Sequence, residues 1–184
     1  MGEKKNTLII NLYGGPGTGK STGAAYIFSQ LKLDGIDAEY ISEFAKDKVW
    51  EENSEVFKNQ FYITGKQSFK ISRCFGKVDI IVTDSPLRMG SVYADTPELK
   101  KAIEAEADKY KDNELNIFLE RVKDYNPNGR HQTEDEAKAI DKQILDMLIA
   151  LDIDYRVFDG SQDGYDAIVR YVHKILTTGT FSEN

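Results

Sequence analysis

The chain carries Gly14-Gly15-Pro16-Gly17-Thr18-Gly19-Lys20-Ser21, and the reading of this stretch decides the fold. Its spacing is that of a phosphate-binding P-loop, G-x-x-x-x-G-K-[ST]. The residues before it, Thr7-Leu8-Ile9-Ile10-Asn11-Leu12-Tyr13, form an apolar, β-branched run that predicts a buried strand. The residues after it place Ala24, Ile27, Phe28 and Leu31 on one face of a helix. Strand, glycine loop and helix in that order is the context the motif needs. Glycines let successive backbone N–H groups turn toward a phosphate, and the helix N-terminus adds the positive end of its dipole. Gly15, Gly17, Thr18, Gly19, Lys20, Ser21 and Thr22 are therefore the expected nucleotide-binding residues. Lys20 is expected to reach the β- and γ-phosphates, and the Ser21 hydroxyl to ligate Mg²⁺. ATP and Mg²⁺ are the expected cofactors.

Working outward, strands alternate with helices. Ala38–Ser42 reads as a second strand, closed by Glu43, and a helical region from about Ser54 to Phe75 carries Phe57, Phe61 and Phe69. Val78–Thr83 is a third strand ending in Asp84-Ser85-Pro86, and Pro97 opens a heavily charged helix whose alternating signs suit a solvated face. Asn116–Leu119 is a fourth strand and Asp124–Gly129 a turn-rich loop. Thr133 and Glu136 have capping-box spacing at the start of a further helix. Tyr155–Phe158 is a fifth strand, followed by a last helix with Ile168, Val169, Val172 and Ile175 inward and a frayed tail from Thr177. The alternation predicts parallel pairing with right-handed crossovers, hence an α/β three-layer sandwich around a five-stranded parallel sheet. At 184 residues the chain is expected to be a single domain, 1–184, with a lid region at about 121–135.

Composition excludes several classes. No apolar run approaches the length of about 20 residues that spans a membrane. The N-terminus leads straight into a strand instead of a signal peptide, and the single Cys74 suits a core position in a reducing, cytoplasmic protein. The net charge of −7 counts against DNA as a general partner and leaves room only for a local basic groove.

Ligands of such sheets sit beyond the carboxyl ends of the strands, so the P-loop, Glu43, Asp84, the loop after Leu119 and Asp159-Gly160 should converge. Asp84 follows apolar strand residues, where a P-loop protein puts a carboxylate near Mg²⁺; the alternative is a cap for the turn before Pro86. Glu43 suits a base that takes the proton of an attacking hydroxyl, or else a first-turn helix acid. Arg121 and Arg130 flank the Asn-Pro-Asn-Gly loop and are candidates to neutralise the moving phosphoryl group. Such a loop, closing over the phosphates, would expel water. Arg88 is a candidate for an acceptor's phosphate, whereas His131 reads as a loop residue. Phe44, Trp50, Phe57, Phe61, Tyr62 and Gln67 fall where an acceptor pocket should form, with Phe44 and Tyr62 the leading pair.

The segments Gly14–Thr22, Ser42-Glu43-Phe44-Ala45-Lys46, Val82-Thr83-Asp84-Ser85-Pro86 and Tyr125…Gly129-Arg130 together resemble the nucleoside and nucleotide kinases of the P-loop class. Ribosylnicotinamide-kinase-like and phage-encoded ATPase/kinase proteins are the nearest in look. The resemblance implies that Glu43 or Asp84 is the base or the magnesium residue, that Arg130 is the lid arginine, and that Asp159-Gly160-Ser161 belong to the adenine-side loop. It implies an ATP-dependent phosphotransferase whose partner is a small-molecule acceptor, a nucleoside or nucleotide. A kinase acting on a base or end in DNA is one alternative. An NTPase switch is another, weakened for GTPases because neither Asn-Lys-x-Asp nor Asp-x-x-Gly occurs. An AAA-type motor is weakened because no second acid adjoins Asp84 and no helical lid domain follows the last strand.

Overall fold

The structure, a computed structural model, describes residues 5–45, 54–122 and 133–179. Five parallel strands, β1 (Leu8–Tyr13), β2 (Ala38–Ile41), β3 (Ile80–Thr83), β4 (Glu114–Glu120) and β5 (Arg156–Asp159), lie in the order β2-β3-β1-β4-β5. The helices are α1 (Lys20–Leu33), α2 (Gln60–Ser72), the short α3 (Met89–Val92), α4 (Pro97–Ala107), α5 (Glu134–Ala150) and α6 (Gln162–Thr178). 3₁₀ turns at Ser54–Lys58 and Asp108–Asn113 precede α2 and β4. This is the expected α/β sandwich.

The period of two along β1 separates the layers. Leu8, Ile10 and Leu12 share a core with Ala24, Ile27 and Leu31 of α1 and with Ile168, Val172 and Ile175 of α6. Ile9 and Tyr13 face the other way. Ile9 packs with Ile71, Leu87 and Ala107, and Tyr13 with Met89, Ile144 and Leu148. Every residue of β1 is buried, as a central strand covered on both faces requires. Cys74 is half-buried against the Ile9 cluster. Thr133 and Glu136 make the reciprocal capping box, and Thr96 and Ser161 cap α4 and α6. The fraying expected from Thr177 is not found at its first residues, and residues 180–184 lie outside the described residues. Thr177 and Thr178 belong to α6, which ends only at Gly179 in the left-handed conformation.

β1 lies between β3 and β4, where the crossovers change direction. The P-loop therefore leaves the sheet at its topological switch point, with the end of β3 on one side and the end of β4 on the other.

Candidate functional site

Gly19 takes a positive φ of 92° immediately before α1, a conformation that a side chain would strain. A Cβ there would also strike the Tyr165 hydroxyl, which donates to the Gly19 carbonyl at 3.0 Å. The Thr18 hydroxyl donates to the Gly15 carbonyl at 3.0 Å across the turn. Lys20 Nζ folds back to donate to the carbonyls of Gly14, at 2.6 Å, and Gly15, at 3.0 Å. Burial lowers the Lys20 pKa, while Glu43, Asp84 and Asp141 favour its charged form and Arg121 opposes it. The ammonium is thus partly desolvated, bonded to two loop carbonyls, and favoured in its charged form by the three carboxylates.

Three further strand ends meet this loop. Asp84, only 3% exposed, accepts the Tyr40 hydroxyl at 3.0 Å on one oxygen and the Glu43 backbone N–H at 2.9 Å on the other. Burial, and then Asp84, raise the Tyr40 pKa, so the phenol stays a donor. Asp84 therefore fixes the end of β2 and the backbone from which Glu43 projects. After β4, Arg121 donates to the Pro16 carbonyl at 2.7 Å and to Asp141 at 2.9 Å. After β5, Gly160 lies against the P-loop so closely that a Cβ would collide with the Thr18 carbonyl oxygen. Asp159, the neighbour of Gly160, is exposed at the same edge. Ser21 is half-buried in the first turn of α1, and Thr22 beside it is exposed.

Two residues that sequence reasoning missed stand in this site. Asp141, on α5, accepts the Gly15 N–H at 2.5 Å while pairing with Arg121. Tyr93, which follows α3 and is 44% exposed, has its pKa pushed up to about 12, by desolvation first and then by the charges of Glu43 and Asp141. No local motif marks either one.

Of the residues expected to line an acceptor pocket, some come together. Phe44 and Tyr62 meet edge to face, with ring centres 5.6 Å apart. Gln67 is buried in a structural relay: it accepts the Phe44 N–H at 3.2 Å and donates to Thr83 Oγ1 at 3.3 Å. It therefore braces the strand ends and is withdrawn from the pocket it was expected to line. Phe61 is 71% exposed. Trp50, Arg130, His131 and residues 123–132 of the expected lid lie outside the described residues, and the side chain of Phe57 is likewise not described.

Arg88 corrects the expectation of a phosphate ligand. Its side chain, 2% exposed, runs under the sheet to Asp108 at 2.9 Å and Glu114 at 3.5 Å. Glu114 opens β4, at the edge of the sheet opposite the P-loop, beside a cavity of about 400 Å³ lined by Arg88, Asp108 and Asn116. The guanidinium is committed there because Glu114 is itself buried, which raises its pKa against the pull of Arg88. Replacing Arg88 by Met is expected to cost about 3–5 kcal/mol, since it leaves a buried carboxylate with Asn11 as its remaining side-chain donor among the described residues. Thermal unfolding checks this. A folded variant of wild-type Tm with an altered acceptor KM would return Arg88 to the site.

A protein-family profile described as an AAA domain matches residues 9–163. No curated protein sequence matches the chain. Among solved structures, a crystal structure of NadR protein in complex with NR superposes with a TM-score of 0.67 at 19% identity, covering 97% of this chain and 53% of that one. A NadR structure in complex with NAD and AMP-PNP gives 0.62 at 15% identity, with 97% and 51% covered. The chain thus spans about half the length of these neighbours, and the likeness is one of fold.

Proposed function

The chain belongs to this AAA-domain family, and on that premise we propose that it is an ATP-dependent phosphotransferase acting on a nucleoside, nucleotide or related small-molecule hydroxyl or phosphate. The observation that carries the reading is the end of β2, where the Glu43 backbone is tied to Asp84 at 2.9 Å and the next residue, Phe44, meets Tyr62 edge to face; the charge of Glu43 also favours the charged form of Lys20. A base serves attack by water as well as by an acceptor hydroxyl, so it is the aromatic pair next to it that favours an acceptor over hydrolysis. A cytoplasmic setting is part of this reading, supported by the single cysteine. Among the described residues, no helix is long and apolar enough to cross a membrane.

In this mechanism an acceptor oxygen attacks the γ-phosphorus in line while the bond to the β–γ bridging oxygen breaks. ADP departs, and the proton of an attacking hydroxyl passes to the Glu43 carboxylate. Lys20 and Arg121 neutralise charge on the phosphate oxygens, and Arg130 completes this from the lid. Gly160 lies against Thr18 and Gly19, and on this reading Asp159-Gly160-Ser161 serve the adenine side. The donors present fit Mg²⁺: Ser21 and Asp84 offer oxygen ligands, each Asp84 oxygen retains a lone pair beyond its hydrogen bond, and magnesium keeps most of its shell as water and phosphate. Bound there, the ion would supply charge neutralisation at the β- and γ-phosphates.

NadR binds NR in one structure and NAD with AMP-PNP in the other, which supports a panel built on nucleosides and nucleotides. ATP consumption is measured against nucleosides, nucleoside monophosphates and hydroxymethylated DNA. Stimulation by a free nucleoside or nucleotide supports the proposal. Stimulation by the DNA alone selects a DNA-directed kinase, and slow hydrolysis that no acceptor stimulates selects the acceptor-free NTPase that the family's AAA description keeps in view.

The two carboxylates separate by their kinetics. Glu43→Gln is expected to lower kcat by about 10²–10⁴ with ATP affinity nearly unchanged. Asp84→Asn is expected to raise the magnesium concentration needed for half-maximal rate. A reversed pattern, read from kcat and magnesium titrations side by side, would exchange the two roles.

A further inference from the structure

Charge is unevenly spread along this acidic chain. From Val56 to Lys77 there are five cations, Lys58, Lys66, Lys70, Arg73 and Lys77, and no acid, so the remainder carries all 31 carboxylate side chains. The helix at the centre of this stretch is α2, and its outward face is aromatic as well as basic. At 100° per residue, Phe61, Gly65, Phe69, Tyr62, Arg73 and Lys66 follow one another around a single arc. The helix turns Thr64, Gln67 and Ile71 to the core on the opposite side.

The exposure is real surface. Phe61 is 71% exposed, Phe69 64% and Tyr62 40%, whereas isolated large apolar side chains are ordinary only when scattered. Lys66 stands over the Tyr62 ring at 5.4 Å, and Lys70 over the Phe44 ring at 5.8 Å. Two neighbouring acids among the described residues are already engaged. Glu55 pairs with Lys58 at 2.7 Å, and Glu106 on α4 accepts from Ser68 at 2.7 Å and pairs with Lys109. The exposed rings of Phe61 and Phe69, set among cations of which Lys70 also donates to the Ser42 carbonyl at 3.1 Å, match a polymer with π-faces and a phosphate per unit.

We propose that the outward face of α2 docks single-stranded nucleic acid, with bases stacked on Phe61, Phe69 and Tyr62 and phosphates held by Lys66, Lys70 and Arg73. The ridge leads through Tyr62 to Phe44, so a strand lying on it brings a nucleotide to the acceptor side of the P-loop. Phe61 and Phe69 are two helical turns apart, about 12 Å, room for successive bases. The acidic net charge is no obstacle, because stacking and a local basic track suffice for a strand where a duplex would need a broad basic surface. This goes beyond the phosphotransferase reading and does not depend on it.

The test uses the full chain without ATP and follows the fluorescence anisotropy of a labelled 15-nucleotide single-stranded DNA of mixed sequence. Binding is expected at 50 mM salt and should weaken about 20-fold at 200 mM if three cations meet phosphates. The double variant Phe69→Ala/Arg73→Glu should lose about tenfold or more in affinity while keeping wild-type Tm and basal ATP turnover. Lys100→Glu/Lys101→Glu on the exposed part of α4, which changes net charge further, should change binding much less. No binding at 50 mM salt, or equal binding by the Phe69/Arg73 variant, overturns the proposal. So does capture by phosphatidylserine vesicles without oligonucleotide binding, which would make the face a membrane contact. Self-association abolished by the same variant, again without oligonucleotide binding, would make it a contact between copies. Failure here leaves acceptor-stimulated ATP turnover untouched, so the two readings fall separately.

Discussion

Lys20→Ala is expected to abolish measurable phosphoryl transfer, a loss of at least about 10³-fold, in a protein that still folds. The ammonium is the one basic group that the loop itself contributes, and its hydrogen bonds to the Gly14 and Gly15 carbonyls, 2.6 and 3.0 Å, hold it inside the phosphate cradle. Glu43, Asp84 and Asp141 all act on it. Removing it turns a site where carboxylates stabilise a lysine into one where they repel a triphosphate. The cost to the fold should be small, because burial already disfavours the charged side chain and lowers its pKa. A lowered lysine pKa opposes folding below the unfolded value, and that penalty fades as pH rises from the folded pKa toward the unfolded one. Turnover and thermal unfolding are measured on the same sample. A folded variant with wild-type turnover would remove the P-loop assignment, and with it the phosphotransferase.

Arg130→Ala is expected to cut acceptor phosphorylation by about 10³–10⁵ while leaving ATP binding within a few-fold of wild type. The expectation rests on what brackets residue 130. On one side Arg121 already contacts the P-loop through the Pro16 carbonyl at 2.7 Å. On the other, the Thr133–Glu136 capping box starts α5 as a rigid arm. An arginine that meets the transferring phosphoryl group and not the resting triphosphate shows its effect in kcat and not in the binding of ATP. The comparison needs wild type and variant, each with and without acceptor. Loss of ATP affinity equal to the loss in rate would mean uniform binding of the phosphates, and an unchanged acceptor rate would remove the lid arginine from the mechanism.

The sequence made the sheet legible because its signals are local. A run such as Leu8–Tyr13 is apolar throughout, and a strand buried on both faces has no other composition available to it. The capping box at Thr133 was readable for the same reason: its two partners are three residues apart. Arg88 was misread because the residues that claim it, Asp108 and Glu114, are 20 and 26 positions away and reach it only once α4 has folded under the sheet. Gln67 is a similar case, an amide on a helix whose partners are the ends of two strands. Asp141 gave no signal at all. Set between Ile140 and Lys142 it reads as one more charged residue of an amphipathic helix, and only the packing of α5 beside β4 carries it to Gly15.

That carboxylate joins two parts of the chain in a thermodynamic sense. One oxygen of Asp141 holds a P-loop amide and the other holds Arg121, and both bonds originate from the helix that resumes the described chain after residue 132. Whatever free energy a nucleotide spends in displacing Asp141 from Gly15 must return, with equal size and opposite direction, when a change in the pose of α5 alters nucleotide affinity. The loop and the helix thus share one equilibrium, and the exchange rate of the Gly15 amide is a gauge that reads it from either end.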